Sequence, residues 1–450
     1  MRRPHIASAL VSLILLASCG GGSDSTGSTS APDSTNPTET PTDSQAPAEE
    51  GNPASAFCAQ QGGTLEIVEE NGGQVGYCNL PDGRRIEEWQ FYNENKTPEV
   101  TAATSIQLGD KGQIGWYPAI AIGSDGLPII SHHDRETGDL VVTHCSDLSC
   151  EANTSTVVDA GNEVGLYSSL AIGSDGLAII SHQDRTNGDL RVTHCSNTEC
   201  TSATTVAVDT EGDVGWDSSI AIGSDDLPII SHHDNTNGTL RVTHCSDVQC
   251  TKSTSTTVDA SAEVGWYTSL AIGSDGFALI SHRDETNDDL RITHCENVEC
   301  TTASSTTLDS EGDVGLETSI VIGEDGRAVI SHWDFSKVRL RVTRCDDESC
   351  SSAETVTIEN ERQEGNLSSI VIGAGGLPLI AHVDAVFNAL WVTNCTDAGC
   401  SQWVTTVVDG QATSATALTI GPDGIPLIAT NASGDVGLRL TRCNNSTCTA

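Results

Sequence analysis

The chain has 450 residues and a formal net charge of −42, with 63 Asp and Glu against 21 Lys and Arg and no basic block. Phosphate recognition needs clustered Lys and Arg, so nucleic acid is not expected as a partner, and anionic lipid head groups would be repelled. The length leaves room for two or three domains, and the acidity reads first as solubility.

The N-terminus carries Arg2 and Arg3, then an apolar run over residues 6–16 that suits a signal peptide and is too short to span a bilayer. It ends in Leu16-Ala17-Ser18-Cys19, which resembles the bacterial lipobox. The resemblance implies cleavage after residue 18, diacylation of Cys19 and a lipid anchor in the cell envelope. Gly20 follows Cys19 in place of the Asp that favours retention at the inner membrane, so the outer membrane is expected. Residues 19–51 are rich in Gly, Ser, Thr, Pro and acidic side chains and hold no aromatic or basic residue. Such a segment cannot offset its ordering entropy by burial, and it reads as a disordered tether reaching roughly 30 Å.

A different composition begins at residue 52 and lasts to residue 95. Strand-like runs at 64–68 and 74–78 flank Gly72-Gly73, which predicts a hairpin, and Pro81-Asp82-Gly83 predicts another turn. Trp89, Phe91 and Tyr92 crowd its end. Cys58 and Cys78 are the cysteines available here and are paired, since so small a domain needs a staple. Asn52-Pro53-Ala54-Ser55, Cys58, Gly62-Gly63, Gly76, Cys78, Pro81-Asp82-Gly83 and Glu87-Glu88-Trp89 resemble a small bacterial family of unknown function often labelled hemolysin-type. Many members carry further cysteines near the positions of Ile86 and Asn95, which this chain lacks. No pore-forming amphipathic stretch is present, so hemolysis is not carried over.

From residue 101 the chain repeats every 50 residues, through seven copies of which the last is degenerate and ends at Cys448. Each copy holds four strand candidates, exemplified by 169–173, 177–182, 190–195 and 204–209. The expected fold is all-β: a seven-bladed β-propeller of four-stranded blades over residues 97–450, plus the small disulfide-stapled domain at 52–95. The last copy lacks a fourth strand and a spare one, 103–108, precedes the first copy, so the N-terminal segment is expected to complete the last blade and remove open edges.

Every copy contains two cysteines five positions apart: Cys145/Cys150, Cys195/Cys200, Cys245/Cys250, Cys295/Cys300, Cys345/Cys350, Cys395/Cys400 and Cys443/Cys448. Disulfides across the hairpin between the third and fourth strands are expected, in preference to metal thiolates, because export places the chain in an oxidising compartment.

A His-x-Asp pattern recurs as His132/Asp134, His182/Asp184, His232/Asp234, His282/Asp284, His332/Asp334 and His382/Asp384, with a second histidine at His144, His194, His244 and His294 that gives way to Arg344, Asn394 and Arg442. A hairpin centred near residue 137 would put His132, Asp134 and His144 on one sheet face, where they could bind a metal or run acid–base chemistry. Six copies of one constellation read better as a buried hydrogen-bond network in every blade, so no catalytic or metal residue is assigned. The loops from Asp184 to Asp189 and from Asp234 faintly resemble calcium loops, yet Asn-Gly there is what a hairpin turn wants; calcium is a secondary reading and no other cofactor is expected.

Trp116, Tyr117, Tyr167, Trp216, Trp266 and Tyr267 fall in the connection before the first strand of copies one to four, in a chain that is only 4% aromatic. That connection and the loop between second and third strands share one propeller face. Aromatic rings beside carboxylates and amides suit sugar rings, although the same rings could fill gaps between blades. The expected function is therefore a surface-anchored binding or interaction module for carbohydrate or another extracellular polymer, with a glycan or a protein as its ligand, not an enzyme. The alternatives are a propeller glycosidase or lyase and a structural envelope protein.

Overall fold

The computed structural model describes residues 52–70, 73–95, 102–108, 114–161, 163–358, 364–373, 375–384, 389–410, 413–432 and 437–449. The expected signal peptide, lipidated Cys19, the tether and Gly72 lie outside the described residues. The chain divides into two compact units, Met1–Thr97 and Pro98–Ala450. Among the described residues no helix is long and apolar enough to cross a membrane.

In the first unit, α1 (Pro53–Gln60) starts at Asn52, whose side chain accepts the N–H groups of Ala54 and Ser55, with Pro53 in the first turn where its missing donor costs nothing. Strand β1 (Thr64–Glu70) pairs antiparallel with β2 (Gly73–Asn79), giving the expected hairpin, and β2 pairs with the short β3 (Arg85–Glu87). Helix α2 (Glu88–Asn95) follows and carries the Trp89, Phe91 and Tyr92 cluster. Two helices and a third strand thus add to the hairpin.

The core is Cys58, Cys78, Leu80 and Phe91, with Phe57 and Ile86 packed on it. Cys58 and Cys78 are bonded, at a Cα separation of 5.6 Å. Glu88 is buried, and its carboxylate accepts from Asn52 Nδ2 (2.9 Å) and Ser55 Oγ (2.7 Å). A methyl group on Gly76 would lie 2.2 Å from Glu88 Oε1, and one on Gly63 would lie 2.5 Å from Cys78 Sγ. The residues that carry the family resemblance therefore close around one buried carboxylate and one disulfide. Gly76→Ala should displace Glu88 from both donors and cost about 3 kcal/mol, enough to abolish the thermal transition of so small a domain. Proteolysis and near-UV dichroism of the 52–95 region check this; unchanged resistance would contradict it.

Among the described residues the second unit contains seven four-stranded antiparallel sheets, and in six of them the strands lie side by side in chain order, here called A to D. Sheet 2 is typical, with A at Val164–Ile172, B at Ala178–Asp184, C at Asp189–Cys195 and D at Ala203–Asp209. Sheet 7 takes Thr413–Ile420, Pro426–Ala432 and Gly437–Cys443 from the C-terminus and its fourth strand, β4 (Ala103–Gln107), from upstream. The register runs from Arg439↔Gln107 to Cys443↔Ala103, as expected of the spare segment. Among the described residues no sheet closes on itself.

Strands B and C are buried almost throughout, as in sheet 3, because they are covered on both faces by neighbouring sheets. Between sheets 2 and 3, for instance, Ile179, Leu190 and Val192 pack with Val214, Ile220, Ile230, Cys245 and Cys250. A glycine in the left-handed region lets strand A approach the preceding sheet: Gly165 meets Leu140, Gly215 meets Leu190, Gly265 meets Leu240, Gly315 meets Leu290 and Gly365 meets Leu340. Gly115 of sheet 1 meets Leu438 of sheet 7 in the same manner. Likewise His133 Nδ1 donates to the Val164 carbonyl (2.7 Å), His233 Nδ1 to Val264 (2.8 Å), and Asn431 Nδ2 of sheet 7 to Ile114 (2.8 Å). The last sheet meets the first through the contacts that join sheets adjacent in sequence.

All seven repeat disulfides form as expected: Cys145–Cys150, Cys195–Cys200, Cys245–Cys250, Cys295–Cys300, Cys345–Cys350, Cys395–Cys400 and Cys443–Cys448, with Cα separations of 4.8–5.0 Å. As expected, the second cysteine of each pair in the first six copies precedes strand D, and the structure adds its backbone conformation. The first cysteine of each pair ends strand C, but Cys150, Cys200, Cys250, Cys300, Cys350, Cys400 and Cys448 lie in a turn, outside any strand, with φ between 51° and 58°. Few L-residues adopt that conformation, and each of the seven also closes the turn by donating its N–H to the residue three before it, as Cys150 to Asp147 (3.1 Å) and Cys200 to Asn197 (3.0 Å). The disulfide therefore holds a strained turn that precedes strand D, with both sulfurs fully buried.

Candidate functional site

The repeated histidines are structural. His182 Nδ1 accepts the Gly165 N–H (3.2 Å), so Nε2 carries the proton and donates to Thr193 Oγ1 (2.9 Å), whose hydroxyl bonds Thr205 on strand D (2.8 Å). His232, His282 and His332 repeat this relay, and His132 and His382 bond Thr143 and Thr393. Burial lowers the pKa of these six imidazoles to about 3–4 and keeps them neutral. Asp184 instead caps the B–C turn, accepting the Thr186 and Asn187 N–H groups and an ion pair from Arg191 (3.2 Å).

The expected common face for His132, Asp134 and His144 is not formed. Cross-strand partners are Ile129↔His144 and His132↔Val141, so the two histidines project from opposite faces of the sheet. The pairing joins odd to even residue numbers, and two even-numbered residues on facing strands then lie on different sides. His144 Nε2 bonds Asp125 of the A–B turn (2.8 Å), and the same pair recurs as His194–Asp175, His244–Asp225 and His294–Asp275. Where arginine replaces the histidine the contact is kept as an ion pair, Arg344–Asp325 and Arg442–Asp423. The sixth copy has Asn394 and, at the matching turn position, Gly375: both partners are lost together. Among the described residues no cluster of three or more His, Cys, Asp or Glu could hold a metal.

The aromatic residues lie within strand A, not in the connection before it; strand A of sheet 1 starts at Trp116 and that of sheet 2 at Val164. A β-bulge interrupts the A–B pairing after Trp116, Trp216, Trp266 and Leu316, and the residue that follows each has a positive φ. Tyr117, Tyr167, Asp217, Tyr267, Glu317 and Leu367 all occupy this position, with φ between 48° and 54°. A bulge re-aims a side chain at the cost of local strain. The bulge carbonyls accept hydroxyls from the next sheet, as Ser168 to Tyr117 (2.8 Å), Ser218 to Tyr167 (2.9 Å) and Thr268 to Asp217 (2.8 Å).

The bulges bring four predicted rings into one arc. Tyr117 and Tyr167 lie 4.5 Å apart between centroids, Tyr167 and Trp216 5.5 Å, and Trp216 and Trp266 6.1 Å. Trp116 carries the Arg135 guanidinium over its ring, Arg185 lies over Trp216, and Trp266 packs on His233. Tyr267 joins through its backbone, donating N–H to Asp217 Oδ2 (2.8 Å). All six predicted residues are half-buried, so the rings are neither fully packed away nor free.

Asp217 and Glu317 are the site residues that sequence reasoning missed. Burial pushes the Asp217 carboxyl up to about 6, against the lowering by the Tyr267 N–H. Burial also raises Tyr117, Tyr167 and Tyr267, and Asp217 adds to the shift in all three. Asp217 has no basic partner among the described residues, whereas the buried Asp159, Asp209, Asp259, Asp309 and Asp409 each pair with an arginine. A signal was available: the copies agree at the histidine and leucine core positions and diverge at one end. The bulge position reads Tyr, Tyr, Asp, Tyr, Glu, Leu, and the one before it Trp, Leu, Trp, Trp, Leu, Asn. The copies vary in the B–C loops and C–D turns as well, but at the bulge the variation exchanges an aromatic residue for a carboxylate, which marks a surface where the copies are not doing the same thing.

These features define an all-β repeat protein whose four-stranded sheets carry a non-repeated arc of aromatic and carboxylate side chains. Ahead of it, residues 50–95 form a domain that matches the family model described as domain of unknown function DUF333. Over 44 residues, a tenth of this chain, it is 43% identical to the uncharacterized protein YoaF of Escherichia coli K12 and of Shigella flexneri. The chain spans about half the length, 52%, of these curated relatives. Among solved structures, hydrazine synthase of Kuenenia stuttgartiensis matches with a TM-score of 0.52 at 11% identity, over 74% of this chain and 97% of that one, a likeness of fold alone. The polysaccharide lyase Uly1 gives 0.48 at 11% identity over 78% and 93% of the two chains, and the NanB sialidase of Streptococcus pneumoniae 0.46 at 12% over 78% and 72%.

Proposed function

We propose that the seven sheets close into a seven-bladed propeller, held to the outer membrane by lipidated Cys19, and that its loop face binds carbohydrate of an extracellular polymer. The observation that carries the binding reading is the arc of half-buried rings from Tyr117 to Trp266, edged by Asp217 and Glu317. The rings pack on one another, and their exposed parts offer apolar surface to the C–H faces of sugars, while the carboxylates accept hydrogen bonds from sugar hydroxyls.

The test is a screen of neutral, acidic and amino polysaccharides against the mature chain, with and without calcium, alongside the Trp116→Ala, Trp216→Ala and Trp266→Ala triple variant. Binding at least about ten-fold weaker in the triple variant is expected, since one lost stacking ring alone forfeits on the order of 1 kcal/mol. Unchanged binding by every glycan would remove the proposal. Wild-type release of new reducing ends that stops in Asp217→Asn would instead favour a glycan-cleaving enzyme, the reading that the non-repeated Asp217 and Glu317 support.

A further inference from the structure

We infer that this arc selects a cationic saccharide, one bearing protonated amino groups, with the tyrosine and tryptophan rings as walls and the Asp217 and Glu317 carboxylates as counter-ions. The inference rests on the carbohydrate reading and specifies its ligand.

The rings carry it first. An ammonium group is attracted to the faces of Trp and Tyr, and a wall of such rings is how proteins hold organic cations away from water. Tyr117, Tyr167, Trp216 and Trp266 form such a wall, and Arg135 over Trp116 at 4.5 Å and Arg185 over Trp216 at 5.5 Å show two of this face's indoles already accepting a cation.

Charge decides the sign of the ligand. Asp217 and Glu317 stand where other copies manage the same bulge with Tyr or Leu, so the fold does not require them. Asp217 has one backbone donor and no ion pair among the described residues, and it remains electrostatically coupled to Tyr117, Tyr167 and Tyr267. Arg283 is bound by Glu285, Asp288 and Asp313, and Arg185, which lies over Trp216, is among the described residues the one guanidinium whose charge acts on Tyr117 and Tyr167, against the two carboxylates. An anionic sugar would meet two carboxylates and a chain of net charge −42. A neutral sugar would leave the desolvated Asp217 uncompensated. An ammonium group offsets that penalty, and the whole-molecule field draws it in.

Calorimetric titration of the mature chain with a glucosamine hexamer and its fully N-acetylated counterpart, at about pH 6.5 where Asp217 is mostly ionised, isolates the amine. The glucosamine hexamer should bind at least about ten-fold more tightly. Asp217→Asn and Glu317→Gln should each remove most of that preference, while Glu136→Gln on the exposed B–C loop of sheet 1 leaves it intact. Equal or tighter binding of the acetylated hexamer, or a preference that survives both substitutions, overturns the inference. If the acetylated hexamer or another glycan binds in a Trp216-dependent way without that preference, carbohydrate binding stands and only the cationic ligand falls. If no glycan binds at all, both fall.

Discussion

A chain that begins at residue 110 instead of residue 98 should fail to fold its repeat unit. The strand removed, β4, is paired along its length with residues 439–443. The deleted segment carries the buried Ala102 and Ala103 and also Leu108, which is 1% exposed and packs with Ile120, Ile130, Leu427 and Leu438 of the first and last sheets. Leu108 N also donates to the Leu438 carbonyl (2.9 Å). Burying Leu108 contributes roughly 2–3 kcal/mol, and the lost ladder bonds about 1 kcal/mol each. A deficit of about 5–8 kcal/mol rivals the net stability of a whole domain, and it bares the flat edge of the last sheet. The expected result is aggregated protein that a synthetic peptide of residues 98–110 rescues in trans. A soluble shortened chain with an unchanged melting temperature would show that the repeat unit does not depend on the borrowed strand.

The periodicity alone makes this dependence legible, because a missing strand at one end and a surplus one at the other can only cancel. The cysteine pairing is legible for a similar reason: a spacing of five across a hairpin leaves little geometric choice. What stays hidden in the sequence depends on parity and on backbone conformation. Whether His144 shares a face with His132 turns on whether the hairpin pairs odd with even numbers, and a turn one residue longer would have reversed the outcome. The left-handed turn at Cys150, Cys200 and their counterparts, and the bulge after Trp116, both need non-glycine residues at positive φ, which no propensity suggests for cysteine or tyrosine. The aromatic residues therefore read as a connection, and Asp217 and Glu317 fall outside any aromatic pattern. Helices α1 and α2 hold eight residues each, too few for an apolar stripe to declare itself.

Acidification should unfold the repeat unit between about pH 6 and pH 4, with the uptake of several protons in one step. His132, His182, His232, His282, His332 and His382 are buried and neutral, with pKa values of about 3–4, against the ordinary value of 6.5 regained on unfolding. Between those values the unfolded chain binds more protons than the folded one. The contribution of each histidine is thus complete above pH 6.5 and is lost as pH falls. One group alone changes stability by about 1.4 kcal/mol per pH unit, so six acting together approach about 8 kcal/mol per unit. Asp217 opposes by one proton, because its folded pKa of about 6 lies above the unfolded one; Asp159, Asp189, Asp289, Asp309 and Asp313, which burial also raises, oppose in the same sense, while His133, which burial lowers, adds to the uptake. Carboxylates held low, such as Asp184, Asp259 and Asp347, add their losses only below the ordinary carboxylate range. The slope of the unfolding constant against pH, followed by tryptophan fluorescence, should therefore report the uptake of several protons above pH 4. His182→Gln should lower that number by one wherever the variant still folds. A transition confined to pH below about 3 would mean that the imidazoles are protonated in the folded protein, and that the Gly–His–Thr relay is not what holds its sheets in register.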